Sequence, residues 1–142
     1  MNYQNPNERK LLWKDEYSVN VKEIDGQHKQ LFAIINTLIE TIAATPKEEE
    51  IVAIINEIVS YKAAHFATED KYFHEFNYEG TAEHEAAHER FNQKVTELQK
   101  TYAGNTLEFA FALIDFLEDW LLEHLMGMDQ KYTKCFNEHG LY

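Results

Sequence analysis

Residues 65–88 read HFATEDKYFHEFNYEGTAEHEAAH, and this stretch decides the fold. It opens with His65 and Glu69, four residues apart, and closes with His84 and His88, again four apart. Residues four apart stack on one helix face, so each pair can aim two ligand-type side chains at one point. Gly80 and Thr81 punctuate the stretch, so it reads as helix, short break, helix. A short connection makes the two helices antiparallel and leaves both pairs at the same end of the hairpin.

Amphipathic patterns extend the hairpin on both sides. A first helix is expected from Val21 to Ala44, with Ile24, Leu31, Ile35, Leu38 and Ile42 on one stripe and His28 filling its gap. Asn20 and Glu23 have the spacing of a capping box at its start. The second helix runs from Pro46 to Phe76, capped by Thr45 with Glu48 three residues on. Its stripe is Ile51, Ile55, Ile58, Tyr61 or Lys62, His65, Glu69 and Phe73. The third runs from Ala82 to Tyr102, on a stripe of His84, His88, Phe91, Val95, Leu98 and Tyr102, and Gly104 supplies a left-handed cap. The fourth begins after Asn105, carries Phe109, Leu113, Phe116, Trp120 and His124, and continues past Lys131. Short connections give an all-α, up-down-up-down antiparallel four-helix bundle over residues 20–142. Residues 1–19 form an N-terminal arm anchored by Leu11, Leu12, Trp13 and Tyr17.

Composition agrees with this picture. Five glycines and two prolines in 142 residues leave little material for many turns, so the elements are long. A net charge of −12 repels phosphate backbones and anionic lipid, which argues against nucleic-acid or membrane partners. The single cysteine, Cys135, allows no internal disulfide, and the polar start MNYQNPNERK has no apolar signal core. A cytoplasmic location is expected.

Seven side chains carry the chemistry. Beyond the two quoted pairs, His28 stands in DGQH, and His124 and Asp129 stand five apart in HLMGMD. A rise of about 1.5 Å per residue places His28 two turns into the first helix and the second helix's pair near its end. His84 and His88 start the third helix, and His124 and Asp129 lie late in the fourth, so all seven reach one end of the core. A lone histidine on an apolar face is usually a hydrogen-bonded core residue. Several buried together with carboxylates all need partners, and metal coordination supplies them at once. Five imidazoles, two carboxylates and no thiolate suit a transition metal such as iron, not a structural zinc-thiolate site. Seven protein ligands are too many for one such ion, and carboxylates able to bridge suggest a pair.

Other residues read differently. His74 is off the core phase and His139 lies near the end of the chain, so both are expected at the surface. Cys135 reads as an inert packed thiol. Glu85 and His88 match one ExxH motif of ferritin-like di-iron bundles, which require two such motifs and further glutamates.

The order H…HxxxE…HxxxH…HxxxxD resembles the hemerythrin signature. The stretches around Trp13, IDGQHKQLF, HEAAHERF and DWLLEHLMGMDQKY extend the similarity to bacterial hemerythrins over most of the chain. The resemblance implies two iron ions per chain. One is held by His84, His88 and His124 and the other by His28 and His65. Glu69 and Asp129 bridge them beside an oxo or hydroxo bridge, and an open position is left for dioxygen. It implies a non-enzymatic protein that binds dioxygen reversibly, as carrier, store or delivery module. The alternatives are an oxygen or iron sensor and a di-iron enzyme acting on peroxide or nitric oxide. Trp120, Leu121, Phe32 and Phe66 are expected to wall the dioxygen pocket.

One spacing conflicts with a regular helix. At about 100° per residue, His124 and Asp129 point some 140° apart, yet both must reach one metal pair. A π-type turn between them, with Gly127 tolerating the distortion or a close backbone approach, closes the gap.

Overall fold

Each helix forms where apolar residues recur every three or four positions, and each break falls where that pattern stops. The computed structural model describes residues 10–44 and 47–142; the expected cap Thr45 and the first-turn Pro46 lie outside them. Among the described residues, α1 spans Lys22–Ala43, α2 Glu48–Glu75, α3 Thr81–Thr101 and α4 Thr106–Glu123. A short α5, Thr133–Glu138, follows. The four long helices make an antiparallel bundle, as the patterning predicts. No helix is long and apolar enough to cross a membrane among the described residues.

Two of the expected caps are seen. Asn105 accepts a hydrogen bond from the Glu108 backbone N–H at 3.1 Å, and Gly104 has φ +80°, the left-handed region that favours glycine. The capping box at Asn20 is not. Asn20 is itself left-handed at φ 55°, and Val21 takes the cap position with no side-chain acceptor. Asp25 organises this entry instead, accepting from Ser18 Oγ at 2.5 Å and the Val19 N–H at 2.8 Å. Asn20 donates its side-chain amide to Asn137, 2.8 Å away, which ties the start of α1 to α5.

The fourth stripe is met in part. Phe109, Leu113 and His124 are buried as expected, with Ala110, Ile114, Leu117 and Leu121 beside them, while Phe116 and Trp120 are half-buried. The rings of Phe116 and Trp120 pack against the core from a flanking position. In the arm, Tyr17 is buried and Trp13 packs edge-on against Tyr17 and Phe32 at 5.8 and 5.6 Å. Leu12 is 74% exposed and anchors nothing. Asn36 instead grips Leu11, taking its N–H at 2.7 Å and donating to its carbonyl at 2.9 Å.

The core has two parts. The long one fills most of the bundle, from Ile51 and Phe109 to Phe66 and Leu125. The short one comprises Val19, Val21, Ile24, Phe73, Tyr132 and Phe136. Ile24 lies one turn before His28, Phe73 one turn after Glu69, and Tyr132 three residues after Asp129. The layer bearing the ligand-type residues is therefore sealed between two apolar clusters.

After α4 the helix changes form. His124–Met128 is a π-helical turn, and the Asp129 N–H donates to the His124 carbonyl five residues back. A 3-10 turn over Asp129–Tyr132 follows. The expected irregularity is present in its π form. Gly127 is not what permits it: its φ is ordinary, and a Cβ there meets nothing within 4 Å. Gly127→Ala is expected to leave the melting temperature unchanged or raise it, by up to about 1 kcal/mol of stability, because alanine favours helical backbone. A loss of stability in thermal unfolding would show that the turn needs glycine.

Candidate metal centre

Three helices and the π turn that follows the fourth deliver seven side chains to one buried layer. His28 comes from α1, His65 and Glu69 from α2, His84 and His88 from α3, His124 and Asp129 from the turn and the residue after it. All seven are buried, with Glu69 and Asp129 at 0% exposure.

Their ligand atoms form two groups that share Glu69. One is Glu69, His84, His88 and His124; the other is His28, His65, Glu69 and Asp129. Within each group the atoms lie within 4.8 Å of one another. Glu69 Oε1 is 3.0 Å from His88 Nε2 and 3.3 Å from His65 Nε2. Asp129 Oδ1 faces His124 Nε2 at 2.8 Å and His84 Nε2 at 3.1 Å, while its Oδ2 faces His28 Nε2 at 3.0 Å. Each carboxylate thus touches histidines of both groups.

Proximity does not mean that these atoms satisfy one another. Both oxygens of Glu69, both of Asp129, both nitrogens of His84 and His88, and Nε2 of His124 make no hydrogen bond. Orphaned polar atoms at this density are costly in a buried layer. The electrostatics point the same way. Burial pushes Glu69 and Asp129 toward the neutral acid, yet His65 beside Glu69 and His124 beside Asp129 hold both carboxyls below the usual carboxylate range. Burial drives His65 down to about 4, against the pull of Glu69. Burial also opposes charge on His84, but Asp129 and Glu69 lift it to about 9. A proton there does what a cation would do between two carboxylates. The ionised carboxylates are in the form that binds metal, and a cation would take the place of the His84 proton, so the residues fit a metal centre.

Aromatic rings surround the layer. Trp120 stacks on His124 with centroids 4.2 Å apart, and Phe66 stacks on His88 at 3.7 Å. Phe66 and Trp120 meet at 6.0 Å, on the side of the three-histidine group. Phe32 and Leu121 lie elsewhere, lining a cavity of about 420 Å³ with Tyr17, Leu125 and the arm. The four residues expected in one pocket wall thus fall into two pairs. Tyr61, stacked on His65 at 5.7 Å, and Tyr132 each bury a hydroxyl without a hydrogen bond. Burial and the charges of Glu69 and Asp129 raise both phenols well above their usual range. Tyr132 had no signal in the sequence beyond its place three residues after Asp129. His74 and His139 are at the surface, and His74 pairs with Glu85 at 3.1 Å. Cys135 is partly exposed, its thiol raised by burial and then by Glu138 and Glu79.

Fold and site together define a helical bundle built around a buried histidine–carboxylate metal centre. The chain belongs to the hemerythrin HHE cation binding domain family, whose match covers residues 19–135. It is similar to the bacteriohemerythrin of Stenotrophomonas maltophilia, 30% identical over 91% of this chain and 83% of that one. The bacteriohemerythrin of Methylococcus capsulatus is also 30% identical, over 86% of this chain and 92% of its own. A crystal structure of a hemerythrin with one leucine replaced by tyrosine superimposes with a TM-score of 0.75 at 28% identity, covering 88% of this chain and 95% of the other.

Removing bound metal is expected to lower the melting temperature, because the seven groups then lose their common partner while the apolar clusters on either side remain. Calorimetry before and after chelation measures it. Equal midpoints would show that the layer is stable without a cation.

Proposed function

We propose that this chain is a non-haem di-iron protein that binds dioxygen reversibly, acting as an oxygen carrier, store or delivery module. The observation that carries this reading is the pair of buried ligand groups that share Glu69, with Asp129 of one group also facing His84 and His124 of the other. His84, His88 and His124 would hold one iron, His28 and His65 the other, with Glu69 and Asp129 between them beside an oxo or hydroxo bridge. Bound there, two irons supply the electrons and the Lewis acidity that reversible dioxygen binding requires.

The protein's own part is donation, asymmetry and exclusion of water. Three histidines on one side and two on the other leave the second side one protein ligand short, which is where a small ligand fits. The short core of Val19, Val21, Ile24, Phe73, Tyr132 and Phe136 closes the layer toward the bundle end. Leu121 and Phe32 pack on its other side, and Phe66 and Trp120 cover His88 and His124. No side chain is needed as a general acid or base, which favours a binding protein over an enzyme. A reducing cytoplasmic setting suits the single free cysteine.

Iron analysis of the purified protein is expected to give two ions per chain, and the His65→Ala, Glu69→Ala double variant is expected to lose full occupancy. Anaerobic reduction followed by cycles of oxygen and inert gas should give a charge-transfer band that appears and disappears. One iron per chain, or rapid irreversible oxidation with peroxide release, overturns the carrier reading. Leu121, 3% exposed, is expected to limit water entry, so Leu121→Ala or Leu121→Ser should hasten autoxidation. An unchanged oxidation rate in those variants would remove Leu121 from the pocket.

A further inference from the structure

His65 differs from His28, His84 and His88 in what its second nitrogen does. Its Nδ1 lies 2.7 Å from Gln27 Oε1, across the α1–α2 interface. Nδ1 of His28, His84 and His88 makes no hydrogen bond. The nearest carboxylate to His88 Nδ1, from Asp70, is 3.9 Å away, too far for one.

The Gln27 amide is held at both ends. Thr68 Oγ1 donates to the Ala64 carbonyl at 3.0 Å and accepts from Gln27 Nε2 at 3.0 Å. The amide oxygen then faces His65 Nδ1. An amide oxygen only accepts, so in this arrangement the imidazole hydrogen is on Nδ1. The Nε2 lone pair is then free, and Nε2 faces Glu69 Oε1 at 3.3 Å and His28 Nε2 at 3.2 Å.

We propose that Gln27 is a positioning residue that holds His65 as its Nδ1–H tautomer and aims its Nε2 at the metal. The chain of contacts is Ala64 carbonyl, Thr68 hydroxyl, Gln27 amide, His65 ring. It starts and ends on α2 and passes through α1 one residue before His28. One side chain thus sets the ring orientation of one ligand beside the backbone position of the other ligand in the same group. The acceptor is neutral. A carboxylate in its place would draw the Nδ1 hydrogen more strongly and make Nε2 a stronger donor, whereas an amide orients the ring without adding charge. The inference rests on the reading of His65 as a metal ligand, and it assigns Gln27 and Thr68 roles that the ligand set alone does not.

Zinc provides a redox-silent, diamagnetic probe for the full chain. In Gln27→Leu, which keeps bulk and removes the acceptor, the zinc dissociation constant in chelator competition should rise about 10- to 100-fold. In the zinc-loaded wild type, the His65 Nδ1–H proton should give a slowly exchanging NMR signal that is lost in this variant. Thr68→Val, which frees the amide to rotate, should weaken zinc binding in the same direction. Gln27→Glu should restore binding to the wild-type level or better. Zinc affinity within twofold of wild type in Gln27→Leu overturns the proposal. So does weakened affinity with the His65 signal unchanged, or no rescue by Gln27→Glu, since a merely structural role gives those results. Uptake of a single zinc by the wild type would unseat the two-metal reading while leaving the Gln27 comparison valid.

Discussion

Two carboxylates and five imidazoles share one buried layer, and the rest of the structure is arranged around that fact. Taking an ionised carboxylate out of water costs several kcal/mol even after relaxation, and two beside each other also repel. Histidines soften this, His65 beside Glu69 and His124 beside Asp129 holding both carboxyls below the usual range, with His84 raised between the two. The remaining donors approach to about 3 Å without bonding. Such a layer is unfavourable as a core and favourable as a cation cage. The two apolar clusters carry the ordinary work of stability, one along the bundle and one closing its end. The layer can therefore be selected for binding.

The irregular end of the fourth helix follows from the same constraint. Regular geometry cannot bring His124 and Asp129 to one point across five residues, so one wide turn rotates Asp129 into line. The altered path has a second effect. It carries Gln130 to the carbonyls of Glu16 and Ser18 at 3.2 and 3.1 Å, and Thr133 to the Val19 carbonyl at 2.8 Å. The segment that supplies the last ligand thus also fastens the arm across the bundle end. Ligand geometry and closure of the layer are coupled through about ten residues of backbone.

Much of this was legible in the sequence because helical periodicity is a strong signal and because rise per residue converts spacing into height. The bundle, the common level of the seven residues and the distortion at 124–129 all follow from those two regularities. What was not legible depends on contacts between helices. Asn20 and Glu23 have capping-box spacing, but Asp25 is better placed to hold Ser18 and Val19, and Asn20 is drawn to Asn137. Phe116 and Trp120 fall on the expected stripe, yet Leu117 and Ala110 take the centre, because hydropathy does not say which of two adjacent apolar phases packs deepest. Trp120 and Leu121 are neighbours in sequence yet meet different surroundings, His124 for one and the cavity lined by Phe32 for the other, since adjacent residues point about 100° apart. Gln27 and Thr68 carry no motif at all; their link to His65 exists only once two helices are side by side.

The balance of donor types explains why so acidic a chain keeps so few acids in its centre. With a net charge of −12, carboxylates were abundant, yet only Glu69 and Asp129 enter the layer. Every further buried carboxylate would lower the positive charge that two divalent ions bring. Neutral imidazoles hold the ions without cancelling their charge. On the proposed reading, two carboxylates against two divalent irons would leave a net positive centre, which would attract an anionic bridge and stabilise negative charge gained by a bound ligand. The apolar walls then strengthen this residual field by keeping water away from it. A centre of five histidines and two carboxylates is suited to taking up a small ligand and releasing it, because its charge is left partly unmet by the protein.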